Sequence, residues 1–158
     1  MWQDPAMRSA LALVVFLVLC FGAAWIGSQF EPGAWYQELQ KPSWNPPAWV
    51  FAPVWSLLYL MMAVAGWLVW QERERKAVRL ALAFFVLQLA LNAAWSWLFF
   101  GLNRPDLAFV EIVVLWLAIL ATAARFWRVR RAAGALLLPY LAWVGFAGVL
   151  NWVLWRMN

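Results

Sequence analysis

The chain has 158 residues, 67% of them hydrophobic and only 12% charged, with a formal net charge of +5. An ordinary soluble domain carries about twice that charged fraction, and a globule this small has too much surface to cover with so few charges. The composition, with a mean hydropathy of +0.73, predicts an all-α integral membrane protein forming a single domain over 1–158.

Apolar runs of about 20 residues predict five transmembrane helices: Ser9–Gln29, Trp49–Trp70, Leu80–Phe100, Leu107–Phe126 and Gly134–Trp155. Gly22-Ala23-Ala24 inside the first resembles a signal-peptide cleavage site, but the apolar run continues through Trp25-Ile26, so the segment is read as part of the mature protein. Cys20, the single cysteine, lies within that run and reads as a small buried hydrophobe.

The first connection, from Phe30 to Trp49, is about twenty residues long and holds four prolines and several aromatics, Trp44 among them. A loop of this length on so small a protein is expected to be a stiff lid or binding element; an interfacial aromatic belt is the alternative. Between the third and fourth spans, Gly101–Asp106 reads as a tight turn with Pro105 as breaker and Asp106 as N-cap.

Nine of the twelve basic residues fall on the side shared by the N-terminus and the second and fourth loops, including Arg73, Arg75, Lys76, Arg128, Arg130 and Arg131. Lys41, Arg104 and Arg156 lie opposite. The positive-inside rule then places the N-terminus in the cytoplasm and the C-terminus outside. It also removes nucleic acid from consideration, because these cations act as topology signals and lipid contacts.

Polar residues inside the spans fall on single helical faces. Gln88, Asn92, Trp95 and Phe99 form one stripe; Trp143, Ala147, Leu150 and Asn151 form a second; Phe51, Trp55 and Tyr59 form a third. Amides in hydrocarbon need partners, so Gln88, Asn92 and Asn151 should face the bundle interior, as should Glu111, the one acid set within a span. At about 1.5 Å per residue most of these residues converge on the outer half of the bundle, beneath the long loop. Aromatic walls with a few amides predict a pocket for a flat, hydrophobic ligand with polar edges; helix glue and space-filling tryptophan are the alternative. With no histidine and one cysteine, no metal site, required cofactor or conventional catalytic group is expected.

Longer motifs then become recognisable. Trp35-Tyr36-x-x-Leu39-x-Lys41-Pro42-x-Trp44-x-Pro46-Pro47-x-Trp49-Val50 continues through Pro53-Val54-Trp55-x-x-Leu58-Tyr59. Gln88-Leu89-Ala90-Leu91-Asn92-x-x-Trp95-x-x-x-Phe99-Phe100-Gly101 and Pro139-Tyr140-Leu141-Ala142-Trp143-x-x-Phe146-Ala147-x-x-Leu150-Asn151 come after them. Together they resemble the translocator protein family, also called TspO, the tryptophan-rich sensory proteins or the peripheral-type benzodiazepine receptors, in its bacterial branch.

The resemblance implies a five-helix bundle, usually a homodimer, that binds protoporphyrin IX-like tetrapyrroles and drug-like hydrophobic molecules beneath the first loop. It maps the ligand site onto Trp55, Tyr59, Asn92, Trp95, Trp143, Ala147 and Leu150, and adds Ala23 and Ile26 from the first span. It implies a receptor, sensor or carrier; the basic inner loops suit the bacterial cytoplasmic membrane, although some family members occupy outer membranes. Light-dependent porphyrin breakdown through Trp55 and Trp143, and transport of lipid, sterol or small amphiphiles, are the other activities it brings. Two positions depart from the family pattern: Trp152 stands where animal members carry the tyrosine of a sterol-recognition sequence, and Leu107 where a tryptophan is frequent.

Overall fold

The computed structural model describes residues 4–158. Its chain forms helices α1 (Pro5–Ser28), α2 (Ala34–Glu38), α3 (Ala48–Gln71), α4 (Ala77–Ser96), α5 (Pro105–Val129), α6 (Arg131–Leu136) and α7 (Leu138–Met157), with no strand among the described residues. A π-helical turn, Trp97–Gly101, extends α4. Five of these segments are long and apolar enough to cross a membrane, α4 together with its π turn and α6 together with α7. The five predicted spans are therefore all present, each extended by a few residues because capping and loop residues continue the helical geometry past the apolar run.

Local chemistry sets the boundaries. Asp4 caps α1, its Oδ1 accepting from the Ala6 N–H at 2.9 Å. Proline opens α1 and α5 at their first helical positions, where no backbone donor is needed. Pro139 sits just past the α6–α7 break, where its missing N–H makes a continuous helix costly.

The turn before α5 differs from the sequence reading. Asp106 is not the N-cap: Arg104 holds that position, Pro105 begins the helix, and Asp106 lies in its first turn. There its carboxylate accepts from Arg104 Nε at 2.8 Å and Nη2 at 2.6 Å, and a negative charge in a first turn complements the helix dipole. Asn103 supplies the reversal with a φ of 52°, a left-handed conformation that asparagine tolerates better than most residues.

Helix α1 packs against α3 and α4, and α5 against α4 and α7, while α6 meets α3 at the end of the bundle that carries the Arg-rich loops. Gly66 lets α1 lie close to α3, since a Cβ there would meet the Phe16 ring at 2.6 Å. The interior is a continuous apolar cluster running from Phe16 and Cys20 through Met62, Phe85 and Phe126 to Tyr140 and Val144. Cys20 is fully buried, as its place in the sequence indicates.

The basic end is cross-braced. Arg75 donates to the Val129 carbonyl at 2.6 Å, Arg130 donates to Gln71 Oε1 at 2.8 Å, and Trp67 Nε1 donates to the Ser9 carbonyl at 3.0 Å. These bonds tie α1, α3 and the α5–α6 junction together. At the opposite end, the loop end, α3 and α7 scarcely meet backbone to backbone. Aromatic rings close the gap: Phe51 lies edge-on to Trp143 at 6.0 Å between centroids, and Trp55 edge-on to Tyr140 at 6.2 Å.

Candidate ligand site

A cavity of about 570 Å³ occupies the loop end of the bundle, within the range of pockets that hold drug-sized molecules. Its roof is the first loop, through Pro32, Tyr36, Asn45 and Pro46, and its walls are drawn from α1, α3, α4 with its π turn, α5 and α7. The sequence did not predict α2 inside the loop. This single turn is held by Lys41, whose Nζ donates to the carbonyls of Tyr36 at 2.6 Å and Leu39 at 3.2 Å and lies 4.5 Å over the Tyr36 ring.

The floor is a chain of hydrogen bonds linking three helices. Tyr59 donates its hydroxyl to Asn92 Oδ1 at 2.5 Å, Asn92 Nδ2 donates to the Tyr140 hydroxyl at 2.7 Å, and that hydroxyl donates to Gln88 Oε1 at 2.9 Å. Gln88 Nε2 reaches Met62 Sδ at 3.8 Å. Every amide expected to face inward thus has a partner on another helix. One wall carries a second pair, with Trp95 Nε1 donating to Asn151 Oδ1 at 2.9 Å and Asn151 Nδ2 to the Pro105 carbonyl at 2.8 Å.

The π turn shapes the remaining wall. An extra residue in one turn rotates the residues beyond it relative to a regular helix, and here Trp95, Ser96, Phe99 and Phe100 all line the cavity. Trp95 stacks on Phe99 at 4.9 Å, and Phe99 meets Trp35 of the loop edge-on at 5.7 Å.

Of the residues predicted for the site, Phe51, Trp55, Tyr59, Asn92, Trp95, Trp143, Ala147, Leu150 and Asn151 line the cavity together. Four do not. Gln88 lies beneath the floor, fully buried in the polar chain. Trp44 is half-exposed in the loop and packs edge-on to Phe146 at 5.8 Å. Ala23 is buried in the helix core, and Ile26 is 50% exposed on the outside of α1. The cavity face of α1 is instead Phe21, Ala24, Gly27 and Ser28, small residues apart from Phe21, with little polar signature.

Glu111 turns into the protein as expected, with both carboxylate oxygens buried and without a hydrogen-bond partner, but it does not line the cavity. Tyr140, which links Asn92 to Gln88 in the floor, was not singled out for the site; in the sequence it stood only within the motif running from Pro139 to Asn151. No residue lining the cavity is charged, and no cluster of metal-ligating side chains occurs among the described residues.

A lidded aromatic cavity inside five apolar helices narrows the class, and comparison with known proteins decides it. The TspO/MBR family model matches residues 12–156. The chain belongs to the TspO/MBR family. It is 43% identical over 160 residues to the human translocator protein, covering 98% of this chain and 90% of that one. It is 41% identical over 151 residues to protein CrtK of Rhodobacter capsulatus, covering 95% and 94%. With the tryptophan-rich sensory protein of Cereibacter sphaeroides it shares 39% over 145 residues, covering 92% and 90%. Membership of the TspO/MBR family, together with the five apolar helices, establishes an integral membrane protein.

Proposed function

We propose that this TspO/MBR protein is a membrane receptor or carrier whose cavity binds flat hydrophobic ligands, tetrapyrroles of the protoporphyrin IX kind foremost. The observation that carries the reading is the cavity itself. Trp55, Trp95, Trp143, Phe51, Phe99 and Phe100 present aromatic surface around a roofed space of about 570 Å³. Offset and edge-on ring contacts favour a planar guest. The absence of charge along the lining favours a ligand that is neutral where it is enclosed, since an unpaired ion there would cost several kcal/mol. A tetrapyrrole fits this rule when its ring enters and its carboxylates stay at the mouth beneath the loop.

The distribution of arginine supports an orientation with the basic end in the cytoplasm, so that the lid faces the other side of the membrane. Quenching of tryptophan fluorescence by protoporphyrin IX in the dark tests the site, with Trp55→Phe and Trp143→Phe alongside wild type. Saturable micromolar binding, weakened in both variants, is expected. Quenching that does not saturate, or that both variants leave unchanged, overturns the assignment.

Light-dependent breakdown of the bound porphyrin is the second reading. It is favoured by Trp55, which lines the cavity 5.5 Å from Tyr59 and 6.2 Å from Tyr140 between ring centroids. An oxidisable indole so placed would sit beside a photoexcited guest, with dioxygen as the oxidant. Illuminated complex should then lose its Soret band faster than the Trp55→Phe complex; equal rates remove this reading.

A further inference from the structure

The loop rests on the bundle mainly through rings: Trp35 and Tyr36 against Phe99 and Phe100, and Trp44 against Phe146. Such contacts hold a lid down without fixing where it sits, because apolar surface is attracted without direction. Apart from the backbone bonds where the loop leaves α1 and enters α3, directional bonds between the loop and a helix of the bundle occur at one place among the described residues. The Gln40 N–H donates to Asn158 Oδ1 at 2.9 Å, and Asn158 Nδ2 donates back to the Gln40 carbonyl at 3.1 Å. The same Nδ2 also donates to the Leu154 carbonyl at 2.9 Å.

We propose that the Asn158 carboxamide is a latch that positions the lid over the cavity and sets how long a ligand stays bound. This inference rests on the ligand site proposed above. One planar amide satisfies both backbone groups of Gln40, as a neighbouring strand would. Its second acceptor, Leu154, belongs to the cavity wall, so the latch ties the lid to the helix turn that the ligand touches.

The segment it holds moves as a unit, because Lys41 binds the carbonyls of Tyr36, Gln37 and Leu39 and stiffens the stretch on both sides of Gln40. Fixing Gln40 therefore fixes Tyr36, which lines the cavity. Water competes for bonds this exposed, so the latch is weak enough to open during ligand exchange. Closure of such a lid governs departure more directly than it governs arrival.

The experiment compares wild type with Asn158→Ala, Asn158→Asp and Gln40→Ala in detergent or nanodiscs. It measures protoporphyrin IX dissociation by stopped flow and Gln40 amide hydrogen exchange without ligand. Asn158→Ala should raise the dissociation rate about three- to tenfold and speed Gln40 exchange, with the unfolding midpoint unchanged. Asn158→Asp keeps an acceptor for the Gln40 N–H but sets a carboxylate oxygen against the Gln40 and Leu154 carbonyls at a helix C-terminus, so it should release ligand at least as fast as Asn158→Ala. Gln40→Ala should match wild type, because the latch uses only that residue's backbone. An Asn158→Ala dissociation rate equal to wild type overturns the proposal, as does Gln40→Ala reproducing the effect. If wild type fails to bind porphyrin saturably, the ligand assignment falls, and the exchange rate of Gln40 still decides whether the latch exists.

Discussion

Trp95 and Asn151, 56 residues apart in sequence, are joined across the cavity wall by an indole N–H donating to an amide oxygen at 2.9 Å. The bond orients both side chains of a surface that a ligand would touch, since both line the cavity. It also couples α4 to α7 near the rim, above the Tyr140 chain that joins the same two helices at the floor.

A double-mutant cycle on this pair measures that coupling. Trp95→Phe keeps most of the stacking area on Phe99, and Asn151→Ala removes the acceptor. Each single change should destabilise the fold, and the pair should fall short of additivity by about 0.5–1.5 kcal/mol. Strict additivity of the unfolding free energies in detergent would show that the bond contributes nothing.

Tyr140→Phe removes one hydroxyl from the centre of the floor and leaves Asn92 Nδ2 and Gln88 Oε1 without their partner. Loss of about 1–3 kcal/mol is expected from stranding buried polar groups. Tyr59→Phe strands only Asn92 Oδ1 and should cost less. Thermal unfolding of the two variants side by side checks the ranking, and a reversed order would contradict the network as described.

Glu111 has the opposite character. Its carboxylate oxygens are enclosed without any donor, so the side chain contributes burial cost with no compensating bond. Glu111→Leu, of similar volume, should raise stability by about 1–3 kcal/mol. A lower unfolding midpoint would mean that the acid has a partner in the membrane-embedded protein.

Porphyrins of graded acidity test the uncharged lining. Protoporphyrin IX carries its two carboxylates along one edge, which can remain at the mouth, whereas uroporphyrin carries them on every edge. Uroporphyrin should bind at least about a hundredfold more weakly, the equivalent of roughly 3 kcal/mol for forcing one charge inside, and protoporphyrin dimethyl ester about as well as the free acid. Competitive displacement of bound protoporphyrin reads both, and equal affinity across the series would remove charge as the criterion.

The five spans could be read from the sequence because hydropathy over twenty residues is a strong, local signal. The stripes on α3, α4 and α7 were legible for a related reason: polar and aromatic residues at helical spacing can be placed on a face without knowing the neighbours. The face of α1 had no such mark. Ala24, Gly27 and Ser28 line the cavity by being small, and smallness says nothing about direction until the opposing helix is known. Gln88 belongs to the predicted stripe, but it lies beneath the floor because Tyr140 reaches across to occupy its oxygen. Sequence spacing cannot show a partner on another helix. Asp106 looked like a cap because Asp commonly is one, yet the helix starts at Pro105, two residues before the expected Leu107, leaving the acid to pair with Arg104.

The cross-bracing of the basic end has a mechanical consequence. Arg75, Arg130 and Trp67 stitch that end with bonds of 2.6–3.0 Å, whereas α3 and α7 at the loop end are parted by rings alone. With its base stitched and α3 tied to α7 at the rim only by ring contacts, the bundle can open between these two helices like a pair of tweezers. A guest wider than the empty cavity would be accommodated by splaying α3 from α7 about the arginine-bound fulcrum, with displacement growing toward Phe51 and Trp143 and vanishing near Gln71.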